Sequence, residues 1–142
     1  MKATSTSIPV GDIQVACTVV GEGTPLIVVH GAVGLGSTYM RPLDRWADGF
    51  QLVYYDQRGS GGTPLGTPER VSFAGAIDDL DGLRAALGVD RVNVVGHSAG
   101  AILAALYAGV VEDSRARLKP EIPVVGDYNI PLRDEVELDK QL

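Results

Sequence analysis

A chain of 142 residues, 45% hydrophobic and 21% charged, is long enough to bury one core and is read as a single domain. Its net charge of −6, from 12 basic against 18 acidic residues, leaves no basic patch able to track phosphates. Nucleic acid and anionic membrane surfaces are thereby excluded as expected partners, and small neutral molecules are favoured.

Met1 to Val10 is polar and lacks the apolar core of a signal peptide, so a cytoplasmic chain is expected. Ile13 to Val20 and Leu26 to Val29 read as strands separated by the turn Gly21-Glu22-Gly23-Thr24-Pro25, and Gln51 to Tyr55 reads as a third. The single cysteine, Cys17, lies in the first of these runs; it excludes a disulfide framework within one chain and reads as a buried structural thiol. Thr38 to Ala47 predicts a short helix. Phe73, Ala76, Ile77, Leu80, Leu83 and Leu87 recur at helical spacing and stop at Gly88, which leaves Asp78, Asp79, Asp81 and Arg84 mostly on the solvated side. Val92 to Val95 predicts another strand, followed by a small-residue helix through about Val110. Strands alternating with helices predict an α/β fold, a mostly parallel sheet flanked by helices, with ligand chemistry at the carboxyl ends of the strands. Residues 1–111 form the expected core. Residues 112–142 change composition, with one apolar segment, Ile122 to Val125, and a charged ending, and are read as a divergent segment with one further strand and a helix.

Gly96-His97-Ser98-Ala99-Gly100 stands where the last predicted strand gives way to its helix. A sharp strand-to-helix turn crowds the positions two residues either side of its apex, which favours Gly96 and Gly100 there and projects the Ser98 hydroxyl from the top of the sheet. Two further pieces precede it, His30-Gly31-Ala32-Val33-Gly34 after one strand and Asp56-Gln57-Arg58-Gly59-Ser60-Gly61 after the next. Together, over roughly residues 8 to 111, these resemble the α/β-hydrolase family, and Tyr54-Tyr55-Asp56-Gln57-Arg58-Gly59-Ser60-Gly61 is similar to its esterase, lactonase and proline-iminopeptidase branches. Where iminopeptidases usually show Gly-Gly-Pro-Gly, this chain has Gly31-Ala32-Val33-Gly34.

The resemblance implies a serine hydrolase acting on small ester, lactone or related acyl substrates, with Ser98 as nucleophile and the backbone N–H groups of Ala32 and Ala99 as oxyanion hole. It implies neither cofactor nor metal. His30, Gly31, Gly96, His97 and Gly100 are then structural parts of the loop and elbow, and Asp56 and Arg58 brace their own loop. Asp127, in Gly126-Asp127-Tyr128-Asn129, is the candidate acid. The family takes its general base from a histidine downstream of the nucleophile. Here the two histidines are His30 and His97, so the base is unassigned. Family members are typically longer and carry a cap, so the chain reads as a truncated or minimal member without a recognisable cap, whose uncovered sheet edge favours self-association. Two other readings remain open: a catalytically silent module binding a small ligand over Ser98, and a dinucleotide-binding domain. The second rests on the glycines from Gly31 to Gly36 and on Asp56 twenty residues beyond.

Overall fold

A computed structural model describes residues 2–31 and 34–118. Five strands form one sheet in the order β1-β2-β4-β3-β5, where β1 is Ala3–Val10, β2 Ile13–Val20, β3 Thr24–Val29, β4 Phe50–Tyr55 and β5 Asn93–Gly96. Helix α1 is Phe73–Ala86 and α2 is Ala99–Leu118; 3₁₀ segments lie at Thr38–Trp46 and Pro68–Arg70. The sheet is mixed. β3 pairs in parallel with β4 and β5, while β1 with β2 and β2 with β4 are antiparallel.

Why β3 and β4 read as unbroken apolar runs is visible in the layers. Ile27, Val29, Val53 and Tyr55 face one way, against Leu80 and Leu83 of α1 and Leu103, Ala104 and Tyr107 of α2. Leu26, Val28, Leu52 and Tyr54 face the other way, against Met40 and Ala47 around the first 3₁₀ segment. A strand covered on both faces has no polar side to show. The helix expected over Thr38 to Ala47 is 3₁₀ instead, with Pro42 inside it supplying no N–H for an α-helical bond.

Strand β1 shows almost no hydrophobic alternation, since all its residues but Ile8 and Val10 are exposed. Main-chain pairing holds it, residue for residue from Ala3 opposite Val20 to Val10 opposite Ile13, through a tight turn with Gly11 at φ 54°. Ser72 caps α1 by accepting a 3.1 Å hydrogen bond from the Gly75 N–H, and Gly88, in the left-handed region, follows its end. Helix α2 runs past Val110 through Glu112-Asp113-Ser114-Arg115-Ala116-Arg117, a run with several good helix formers, and so crosses the expected 111/112 boundary. Cys17 is buried, and desolvation pushes its thiol up to about 12. Asp79 corrects the expectation that the acidic residues of α1 face water: it is 5% exposed, held there by the guanidinium of Arg58. No helix among the described residues is long and apolar enough to cross a membrane.

Candidate active site

β3, β4 and β5 all end at the same rim, and their three following loops meet there. The turn after β5 carries Ser98 at φ 57°, the one non-glycine residue with positive φ among the described residues. That conformation is uncommon for a side-chain-bearing residue and is held by its surroundings. His97 N–H donates 3.1 Å to the Val29 carbonyl, while the Ser98 carbonyl accepts 3.0 Å from Ala101 N–H, so strand and helix both clamp the turn.

The glycines two residues either side leave room for this. A Cβ at Gly96 would lie 2.6 Å from Ala101 Cα, and one at Gly100 would lie 2.6 Å from the His30 carbonyl oxygen and against that of Val29. Gly31 is equally confined: a Cβ there would stand 2.8 Å from the Ser98 Cβ and 2.6 Å from the His97 carbonyl. Ser98 and Ala99 are exposed at the rim. Ala99 opens α2, so its N–H belongs to the first turn, whose donors have no intrahelical acceptor. The positive end of the helix axis therefore faces the space beside Ser98.

Side chains brace the other two loops. Asp56 accepts from Ser37 N–H at 2.7 Å, Ser37 Oγ at 2.8 Å and Gly62 N–H at 2.9 Å. Both its oxygens are thus engaged within the loops, which gives its position after β4 a bracing explanation in place of the ribose contact that the dinucleotide spacing offered. Ser60 Oγ accepts 2.8 Å from Gly34 N–H. His30 is fully buried; its Nε2 accepts 2.9 Å from Gln57 N–H, and its carbonyl accepts from Gln57 Nε2. Arg58, whose side chain is 5% exposed, donates to both oxygens of Asp79 and both of Asp12, at 2.8 to 3.1 Å, and to the Leu65 carbonyl. Arg58 and the Thr67 backbone N–H hold the Asp12 carboxyl far below the usual carboxylate range.

Nothing in the sequence pattern marks Tyr39, yet its side chain links two of the rim loops. Its hydroxyl accepts 2.7 Å from Gly31 N–H and lies 3.0 Å from Nδ1 of His97, the two rings meeting edge-on with centroids 5.6 Å apart. The His97 ring is thereby engaged with the 3₁₀ segment. Sequence spacing gives no warning of a contact across 58 positions. Of the remaining site candidates, Ala32 and Asp127 lie outside the described residues.

The family model described as alpha/beta hydrolase fold matches residues 24–117. The chain belongs to the α/β-hydrolase fold family. Among its α/β-hydrolase relatives is the proline iminopeptidase of Lactobacillus delbrueckii subsp. lactis, 33% identical over 115 residues, covering 75% of this chain and 39% of the relative. Of solved structures, the proline iminopeptidase-related protein of Thermus thermophilus is similar with a TM-score of 0.68 at 32% identity, covering 84% of this chain and 42% of that one. A Vigna radiata epoxide hydrolase mutant gives 0.71 at 25% identity, with coverage of 79% and 36%. This α/β-hydrolase chain therefore spans about two-fifths of the length of the relatives it matches.

Proposed function

We propose that the chain performs serine-nucleophile acyl chemistry on small ester, lactone or related acyl substrates. Ser98 Oγ attacks the carbonyl carbon, a C–O bond forms, and the bond to the leaving group breaks as that group departs with the hydroxyl proton. The N–H groups of Ala32 and Ala99 hold the developing oxyanion, where one well-placed donor is worth ~3–4 kcal/mol of barrier. Asp127 is the acid of this reading. The observation that carries it is Ser98 itself, exposed and held at φ 57° at the carboxyl end of β5 and the amino end of α2. The same reading has the chain working in the cytoplasm on small molecules rather than nucleic acid or membranes, and joining a second copy through a sheet edge.

Both histidines of these 142 residues are already taken up. His30 is engaged with Gln57 and His97 with Tyr39, and a serine protease deprived of its histidine loses about six orders of magnitude in kcat. Acylation without rapid release is the expected signature. That engagement also favours a second reading, a silent module that binds its ligand over Ser98.

Intact-mass spectrometry after a fluorophosphonate probe separates the two. One adduct per chain, absent in Ser98→Ala, is the expected result. Folded protein that takes up no adduct overturns the nucleophile and leaves the binding module.

A further inference from the structure

Beneath the first turn of α1 the described residues bound a cavity of about 280 Å³. Val15 of β2, Tyr55 of β4, Ala76 of α1 and Leu103 of α2 wall it, and Gly31 and Ala99 bring it up to the elbow, while Ser98 is not among the lining residues. The helix pattern explains the space. Ala76 stands one turn before Leu80 on the packed side of α1, a small side chain in a row otherwise filled by Leu80 and Leu83.

Two features give the cavity a chemistry. Its charged wall residues already have partners: Arg58 is paired bidentately with Asp79, Asp56 is taken up by Ser37 and Gly62, and Arg70 lies 3.5 to 3.8 Å from carboxylate oxygens of Asp12, Asp78 and Asp79, so an anionic ligand would have to compete with three carboxylates for it. Among the uncharged polar side chains of the wall, Tyr55 is the one whose polar atom is left over. Three tyrosines are almost fully buried; Tyr54 donates to Asp44 at 2.8 Å and Tyr107 to Asp81 at 2.9 Å, whereas the Tyr55 hydroxyl, 2% exposed as a residue, has no hydrogen-bond partner among the described residues. Burial above all, with Asp79 and Cys17 adding to it, keeps that phenol protonated at any ordinary pH, so it is a donor awaiting an acceptor.

We propose that this cavity binds a compact, neutral, largely apolar molecule carrying one oxygen acceptor for the Tyr55 hydroxyl. A dry apolar cavity of ~150 Å³ takes up benzene, so this one holds a ligand of about ten non-hydrogen atoms. The site is independent of acyl chemistry at Ser98 and persists in Ser98→Ala.

Phenol and toluene, equal in size and differing in one oxygen, test it by titration calorimetry and thermal unfolding of the full chain. Phenol is expected to bind one-to-one and raise Tm as its concentration rises, in the natural chain and in Ser98→Ala alike. Tyr55→Phe should weaken phenol about five-fold while leaving toluene within about two-fold, the loss of a single buried hydrogen bond. Ala76→Leu should abolish binding of both, and Ala76→Val, the smaller change, should weaken both if the leucine variant does not fold. The proposal is overturned if folded natural chain shows no saturable phenol binding, if Tyr55→Phe weakens phenol and toluene equally, or if a folded Ala76 variant binds as before. Because Ser98→Ala carries the binding measurement, its failure is separate from failure of the fluorophosphonate reaction.

Discussion

The elbow at 96–100 and the braced loops at 34–37 and 56–62 meet at one rim, yet opposite means hold them. The elbow is shaped by missing side chains: Gly31, Gly96 and Gly100 let backbone pass against backbone where a Cβ has no room. The loops are shaped by side chains that are present, with Asp56, Ser60, His30 and Arg58 supplying the partners that loop N–H groups and neighbouring carboxylates need. Steric confinement is unforgiving of any added atom and indifferent to pH. Polar bracing tolerates small changes in volume and depends on charge.

The largest expected effect breaks the elbow. Gly100→Ala drives a methyl into the Val29 and His30 carbonyls, in backbone at the end of the interior strand β3. A loss of about 5 kcal/mol or more is expected in the urea unfolding free energy, with no change in its pH dependence.

Arg58→Met tests the loops. It strips the closest partner from Asp79, buried in α1, and from Asp12, leaving each only the longer approach of Arg70, and removing one member of a buried ion pair costs about 3–5 kcal/mol. Here pH matters. The Asp12 carboxyl is depressed chiefly by Arg58, Asp44 chiefly by Arg41 and Asp81 chiefly by Arg84. A depressed carboxylate stabilises the fold fully above its unfolded value, about 3.9, and that stability drains away as pH falls through the lower folded value. The natural chain should therefore lose stability progressively below about pH 4. Arg58→Met should show a shallower acid limb, because the contribution of Asp12 has already gone; an unchanged limb in urea titrations from pH 2 to 7 would overturn this account of Asp12.

The smallest effect has the opposite sign. Ser98→Gly removes the one side chain held at positive φ among the described residues and should raise stability by about 0.5–1 kcal/mol while abolishing the fluorophosphonate adduct. A neutral or destabilising result would mean that the Ser98 side chain relieves its own backbone strain through contacts worth as much.

Much of this was readable from the amino-acid pattern because the informative contacts are local or periodic. β2, β3, β4 and β5 follow from apolar runs, α1 from helical spacing closed by Gly88, and the elbow from two glycines flanking a serine. Strand β1 escaped notice because an exposed edge strand is fixed by main-chain pairing, which leaves no trace in hydropathy. The helical position of Asp79 predicts a solvated side chain, while the partner that buries it, Arg58, stands 21 positions away in a loop. Tyr39 is the same case at greater range. Its hydroxyl joins Gly31 to His97, and nothing in the composition of the 3₁₀ segment distinguishes it from a surface tyrosine.

The position of β3 sets an order of events as the chain is made. Its side facing β4 can pair once residues 50–55 exist, whereas its other side waits for Asn93–Gly96, since Leu26 lies opposite Asn93. Throughout the interval in which residues 56 to 92 emerge, a strand destined for the interior of the sheet is itself an edge, apolar on both faces. Parallel pairing across so long a stretch of chain closes slowly, and an apolar edge exposed meanwhile is open to wrong partners. Synthesis of this domain is therefore most vulnerable just before the serine turn is complete, and the strand that fixes the elbow also ends that exposure.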